Sequence, residues 1–381
     1  MVDGSPWPKV SIVTPSYNQG QFLEETIRSV LLQGYPNLEY IIIDGGSQDN
    51  SVEIIKKYEP WLAYWVSEPD KGQAHAVNKG LKRATGHILA WVNSDDLYAK
   101  WAIHEVAQYL RQNRDIDVLY GDCLFINLDG KKIKYVRGFD YSPIRLFVGS
   151  IPQPSTFFRE RVLKHGFLDE SLDYTFDYEF WLRLNDRYQF KYLPTLLSYF
   201  RLHESSKTVS GQLGMQKETY KLLKRHLQNS MLPYSIRRRL TTLADWRLAI
   251  IAWILGESSE VPMYLSAVKE HLIHKISFIQ AGVFTFIFIP SIKHMSCVDI
   301  RKNDTLIRKF CEHIPVRSKS TLMMKLLSQY YLTLAVEKKS PILFIKGVAK
   351  NPFYSMMLVK RRIWLSRIFK GLPWELWKTL I

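Results

Sequence analysis

From residue 9 to residue 96 the chain alternates short β-branched runs with helical repeats, and each run stops at a polar or glycine-bearing turn. That alternation points this segment to an α/β fold built on a parallel sheet. Residues 9–14 (KVSIVT) read as a buried strand, followed by a turn at Pro15-Ser16-Tyr17-Asn18. Phe22, Leu23, Ile27, Val30 and Leu31 then recur at helical spacing. Residues 39–43 read as a second strand ending at Asp44-Gly45-Gly46-Ser47, residues 51–58 as a helix, and residues 63–66 as a third strand. Residues 73–84 read as a helix stopped by Gly86, and residues 87–92 as a strand running into Asn93-Ser94-Asp95-Asp96.

In an open parallel sheet the carboxyl ends of the strands border the ligand crevice. Asp44, Asp70 and the Asp95-Asp96 pair each fall just past a strand, so one site assembled from three separated segments is expected. Residues 116–137 read as a hairpin turning at Asp129-Gly130. A loop then leads from Gly138 to Pro152-Gln153-Pro154, followed by a strand and by a helix over residues 176–187.

Charge divides the chain in two. Residues 211–381 carry 28 Lys and Arg against 10 Asp and Glu, a net of +18; totals of 52 and 36 leave 24 and 26 for residues 1–210, a net of −2. The first region reads as an α/β domain and the second as a helical, basic extension whose partner is acidic. Residues 276–289 are the most apolar stretch, shorter than the roughly 20 residues a spanning helix requires. In residues 340–381 Trp, Phe, Met and Ile interleave with Lys and Arg, the composition of a helix lying in an anionic membrane surface. From three dispersed cysteines and no signal-peptide pattern at the start, chemistry on the cytoplasmic side is expected, with the basic tail holding the protein peripherally on the inner face of the membrane.

Several acids can carry chemistry, and each also has a plainer reading. Asp95 and Asp96 end an apolar strand, where adjacent carboxylates repel and lose hydration unless a cation or hydrogen bonds neutralise them. Hard oxygen donors suit Mg²⁺ or Mn²⁺. The same pair can instead cap a helix over residues 97–110. Asp44, in its glycine turn, either accepts hydrogen bonds from a ligand or simply closes the turn. Asp177 and Glu179 stand where a helix begins, as caps or as a general base. His203, before Glu204-Ser205-Ser206-Lys207, is a structural histidine or a ligand to metal or pyrophosphate.

Taken in order, these segments resemble the family 2 glycosyltransferases of the GT-A fold, from about Pro8 to Lys207. Residues 10–18 (VSIVTPSYN) look like that family's opening strand and nucleotide-binding turn, and Asp44–Ser47 like its base-binding acidic turn. Residues 67–72 (SEPDKG), with Asn78-Lys79-Gly80, resemble its second nucleotide segment. Asn93–Asp96 resembles its DxD-type metal motif, residues 177–184 its catalytic-base helix, and residues 203–207 its closing loop. The wording DGGS, SEPDKG and NSDD is similar to a branch assigned to bacterial O-antigen and exopolysaccharide assembly. Three positions depart from the pattern. Gly45 stands where many relatives carry a second acid, Asn93 where the DxD pattern has its first, and Phe176 where a Glu usually precedes the base.

The resemblance implies an inverting transfer from a nucleotide-sugar, mostly a UDP-sugar, to a glycan or lipid-linked acceptor in cell-surface polysaccharide assembly. Asp95, Asp96 and His203 are its implied ligands for Mg²⁺ or Mn²⁺, and Asp177 its implied base. Pro15, Tyr17, Asp44, Asp70, Lys71 and Asp95 are implied to line the nucleotide, and Lys207 to meet the pyrophosphate. Three readings compete, of which a processive, membrane-embedded synthase would need several spanning helices, and the sequence offers none convincing. A non-catalytic sugar-nucleotide binder lacks its metal or base acids, and here both are present. Nucleic-acid binding through the basic half is disfavoured because its Lys and Arg alternate with Trp, Ile, Met and Phe.

Overall fold

The β-branched runs pair as the alternation requires. The computed structural model describes residues 6–149, 151–238, 240, 241 and 244. In it, β1 (Val10–Ser16), β2 (Leu38–Asp44), β3 (Tyr64–Ser67) and β4 (Ile88–Trp91) lie parallel in the order β3-β2-β1-β4. They are joined by α1 (Gly20–Leu31), α2 (Ser51–Tyr58) and α3 (Gln73–Arg83). Val10 and Ile12 are buried on one face against Leu23, Ile27 and Ile103. Val13, on the other face, meets α3 so closely that a Cβ at Gly80 would lie 2.3 Å from Val13 Cγ1. Covered on both faces, these strands have no reason to alternate polar and apolar residues.

Because the four strands run the same way, Ser16, Asp44, Ser67 and Trp91 end on one edge. β1 keeps β2 beside it to Asp44, but β4 pairs with it only from Val10 to Val13. The strand therefore extends to Ser16, where the sequence suggests a turn at Pro15. Past Val13 it has no β4 partner, so Pro15 costs no ladder bond on that side. Chain connections diverge to either side of β1, the position where α/β sheets open a ligand crevice.

Beyond Trp91 come β5 (Leu97–Tyr98), α4 (Ala102–Gln112), β6 (Val118–Ile126), β7 (Lys132–Val136), α5 (Pro143–Val148) and β8 (Thr156–Arg159). They are followed by α6 (Phe176–Leu184), β9 (Phe190–Arg201), α7 (Lys207–Ser210) and α8 (Gln212–Asn229). The sheet continues as β8-β6-β9-β5, with β7 on β6. β8 is antiparallel to β4 and β6, while β6 and β9 run parallel. The 116–137 hairpin is present, and Gly130 takes the positive φ of 74° its turn needs.

Three expectations change. Asp95 and Asp96 cap no helix: Leu97 and Tyr98 pair with β9, and α4 starts after Trp101, at φ 69°. The stretch after Gly138 contains α5, capped by Ser142 and opened by Pro143. The helix expected over residues 176–187 ends at Leu184.

The chain divides into two compact units, Met1–Met231 and Leu232–Ile381. Among the described residues no helix is long and apolar enough to cross a membrane. The apolar stretch 276–289 and the basic, aromatic segment 340–381 lie outside the described residues.

Candidate functional site

At the crevice edge the turns after β1 and β2 are sewn together. Asn18, at φ 50°, donates its amide to Ser47 Oγ (2.8 Å), and its Oδ1 accepts from the Gln48 amide (2.8 Å). Asp49 accepts from the Gly20 amide at 2.9 Å. Asp44 is fully buried, and its carboxylate accepts from the Gly46 and Ser47 amides, from Ser47 Oγ and from Ser67 Oγ. Four donors hold that charge, so it shapes the turn from beneath.

Asp70 occupies the space above. Its Oδ1 accepts from the Gly72 amide, and its Oδ2 lies 2.7 Å from where a Gly45 Cβ would stand. The Tyr17 ring is 3.3 Å from that same point, and Tyr17 is 60% exposed. Glycine at position 45 thus brings Asp70, Tyr17 and the turn backbone to one place. Lys71 is exposed. Asn78 and Gly80 serve packing: Asn78 is buried and bonded to Leu168 and Glu170, and Gly80 lets α3 lie on β1.

The acid pair is held from several directions. Thr26 Oγ1 donates to the carbonyls of Ser94 and Asp96. Asp96 is buried, its Oδ1 accepting from the Arg201 amide at 2.9 Å and its Oδ2 from Asn93 at 3.4 Å. Burial, and then the charge of Asp95, push the Asp96 carboxyl well above its usual range. Asn93 is thereby intelligible: an amide donates to Asp96 where an acid would add a third charge. Asp95 keeps some exposure, and its Oδ2 meets His203 Nε2 at 2.9 Å, while His203 Nδ1 bonds Ser205. The His203 ring packs on Phe22, with centroids 4.8 Å apart.

Sequence reasoning missed Arg201. Its guanidinium, 2% exposed, donates to the carbonyls of Asp95 (3.0 Å) and Leu128 (2.9 Å) and to Glu25 (2.5 Å). An arginine at the end of a strand gives no local sign of such a task. Among the described residues no group of three His, Cys, Asp or Glu forms a ready metal cage. The Asp95–His203 pair nonetheless suits a hard divalent cation of the kind that binds through one or two protein ligands plus phosphate oxygens.

Asp177 lies in the first turn of α6. Part of it still reaches solvent, but the surrounding protein is dense. Desolvation raises its carboxyl to about 6, against the bond from the Tyr178 amide and helped by the nearby charge of Glu218. Trp181, one turn on, stacks on Trp91 with centroids 5.7 Å apart and planes 15° from parallel. Residues four apart share a helix face. The face bearing Asp177 is thus turned toward the strand that leads into the acid pair. Lys207 is exposed, with Nζ donating to the Asp173 carbonyl at 3.0 Å.

Residues 11–175 match the sequence profile of Glycosyl transferase family 2. An uncharacterised glycosyltransferase of Mycobacterium tuberculosis strain H37Rv is 33% identical over 184 residues, covering 46% of this chain and 68% of that protein. The chain spans 66% of the length of one curated relative, 36% of another and 83% of a third. Two solved structures share the fold at a TM-score of 0.50. One is S. aureus TarS 1-349 in complex with UDP-GlcNAc (16% identity, covering 93% of this chain and 92% of that one). The other is the mannosyltransferase PcManGT from Pyrobaculum calidifontis in complex with GDP-Man and Mn²⁺ (15% identity, 92% and 91%).

Proposed function

The chain belongs to Glycosyl transferase family 2, and from that premise we propose that it moves a sugar from a nucleotide-sugar, a UDP-sugar in the first instance, to a hydroxyl of a glycan or lipid-linked acceptor, with inversion at the anomeric carbon. One observation carries the reading. A carboxylate raised to about 6 stands one helical turn from the indole that stacks on the strand leading into the acid pair. Ionised at neutral pH yet more basic than an ordinary carboxylate, Asp177 is suited to take the acceptor's proton as its oxygen attacks.

Asp70 and Tyr17 form the nucleotide side of the crevice, on the turns shaped by Pro15 and by Asp44 from beneath; Lys71 stands on the rim. Asp95 and His203 are the residues that would hold Mg²⁺ or Mn²⁺, with buried Asp96 behind them. When bound, such a cation neutralises the departing diphosphate. Lys207, whose ammonium donates to the Asp173 carbonyl, is the exposed cation that would meet the same phosphates. The binding of UDP-GlcNAc by TarS and of GDP-Man with Mn²⁺ by PcManGT supports a nucleotide-sugar donor and a divalent ion. The catalytic domain spans about residues 1–210. The basic region after it docks on an anionic membrane surface on the cytoplasmic side, where a lipid-linked acceptor for polysaccharide assembly is within reach.

The test is nucleotide release from a panel of UDP-, GDP- and dTDP-sugars by wild type and Asp177→Asn, with and without EDTA. The expected result is EDTA-sensitive turnover of one donor class, lost in Asp177→Asn while nucleotide binding persists. Undiminished turnover by Asp177→Asn overturns the assignment of the base.

A further inference from the structure

α8 lies beyond the segment that the family resemblance covers, yet it grips the chain just ahead of Asp177. Glu218 Oε1 accepts from the Asp173 amide at 2.9 Å; its Oε2 accepts from the amides of Tyr174 (2.9 Å) and Thr175 (2.8 Å) and from Thr175 Oγ1 (2.8 Å). Three successive backbone amides converging on one carboxylate form a nest, an arrangement that binds anions strongly. Thr175 is the N-cap residue of α6, but its side chain caps nothing in α6; its hydroxyl is committed to Glu218. A further negative group at this helix start, beside Asp177 and Glu179 of its own first turn, is therefore supplied by another helix, in a position that complements the α6 dipole.

Other contacts fasten the same short segment to α7 and α8. The Tyr174 ring lies against two glycines: a Cβ at Gly211 would sit 2.1 Å from its Cε1, and one at Gly214 would sit 2.8 Å from its Cε2. Two turns along α8, on the side that carries Glu218, Arg225 Nη2 stands 3.7 Å from Oε1 of Glu179; His226 Nε2 stands at the same distance. Glu179 is 5% exposed and also paired with Arg183 at 3.1 Å. Burial opposes its charge, but His226 and Arg183 hold the carboxyl below its usual range. The helices thus exchange acids: α8 lends Glu218 to the front of α6, and α6 lends Glu179 to the bases of α8. Asp177 lies between the two grips.

We propose that Glu218 is a positioning residue for Asp177, fixing the height and orientation of the first turn of α6 and keeping a negative charge beside the base. This rests on the reading of Asp177 as the base, and it makes α8 part of the catalytic apparatus. The groups acting on Asp177 are the surrounding protein that desolvates it, the Tyr178 amide, its own amide and the Glu218 charge. Removing that charge leaves Asp177 a weaker base; loosening the nest lets it drift from the acceptor. A displacement of about 1 Å is enough to lower turnover by up to about 100-fold.

The experiment compares full-length wild type, Glu218→Gln, Gly211→Ala and Asp177→Asn. One readout is the ¹³C carboxyl titration of Asp177, its resonance identified by its loss in Asp177→Asn. The other is nucleotide release from the UDP-, GDP- and dTDP-sugar panel with water as acceptor. Glu218→Gln is expected to move the Asp177 midpoint below the wild-type value of about 6 and to cut turnover on the order of tenfold or more. Gly211→Ala, which presses on Tyr174 and leaves the charge in place, is expected to lower turnover with the midpoint held. An unchanged midpoint and turnover in Glu218→Gln overturns the proposal. So does an equal fall of the midpoint in Gly211→Ala, which reports only the entry of solvent. Should Glu218→Gln not fold, unimpaired turnover in Gly211→Ala overturns it instead. Full turnover by Asp177→Asn removes the base reading, a separate failure from that of Glu218.

Discussion

Replacing Asp177 by Asn is expected to stop turnover and, at neutral pH, to make the protein more stable. Its carboxyl is raised by burial from 3.8 to about 6. An acid with a raised folded pKa binds more protons folded than unfolded between those two values. Stability therefore falls as pH climbs through that window, and the loss is complete above about 6. About two units at 1.36 kcal/mol each set the loss at up to about 3 kcal/mol, less whatever the solvent still reaching Asp177 relieves. Asn has no charge to desolvate and so removes the penalty. Urea unfolding of wild type and Asp177→Asn at about pH 7.5 and about pH 4 is the assay, with the variant gaining stability at the higher pH and little at the lower. A variant no more stable at about pH 7.5, or equally stabilised at both, refutes the claim that desolvation raises this carboxyl. The acid limb of turnover should fall at the same place, with activity lost as pH drops through about 6.

Three further perturbations test the supports of the site. Glu39→Gln loses a carboxylate that burial pushes up but that bonds from Lys9, Ser11 and Thr85 hold near 2; this lowers stability at neutral pH by about 2–3 kcal/mol. Because that pKa is depressed, the wild-type advantage is present above about 4.5 and disappears as pH falls toward 2, which acid unfolding curves will show. Arg201→Met leaves the carbonyls of Asp95 and Leu128 without this donor, while Glu25, 63% exposed, stays solvated; the expected loss is about 1–3 kcal/mol by thermal unfolding, with weaker nucleotide binding by calorimetry. Gly80→Ala forces a methyl into Val13 and is expected to cost about 1–3 kcal/mol in denaturant unfolding.

The strands of the parallel half were legible because each is a short β-branched run bounded by turn residues, and α2 falls on residues 51–58 as read. What escaped depended on distant partners. β9 holds Pro194, which argues against a strand. The structure accommodates it at an irregularity where Tyr120 pairs with Tyr192 but Asp122 with Leu196. Asp95 and Asp96 look like a helix cap from local sequence alone, but Leu97 and Tyr98 are captured by β9 across a hundred residues, which delays α4 to Ala102. The acids and His203 could be picked out as chemistry-bearing by type and position. The pairing of Asp95 with His203 could not, since 108 residues separate them. Arg201 and Glu218 carried no local signal, because their work is done on backbone groups that only the fold brings near.

The central claim, a donor site built on Asp95 and His203, is tested most directly by isothermal titration. UDP, GDP and dTDP are each titrated with and without Mn²⁺ into wild type and Asp95→Ala. The account predicts Mn²⁺-dependent binding of one nucleotide by wild type, lost or sharply weakened in Asp95→Ala. Binding that is indifferent to both Mn²⁺ and the substitution, or no binding of any of the three, contradicts it.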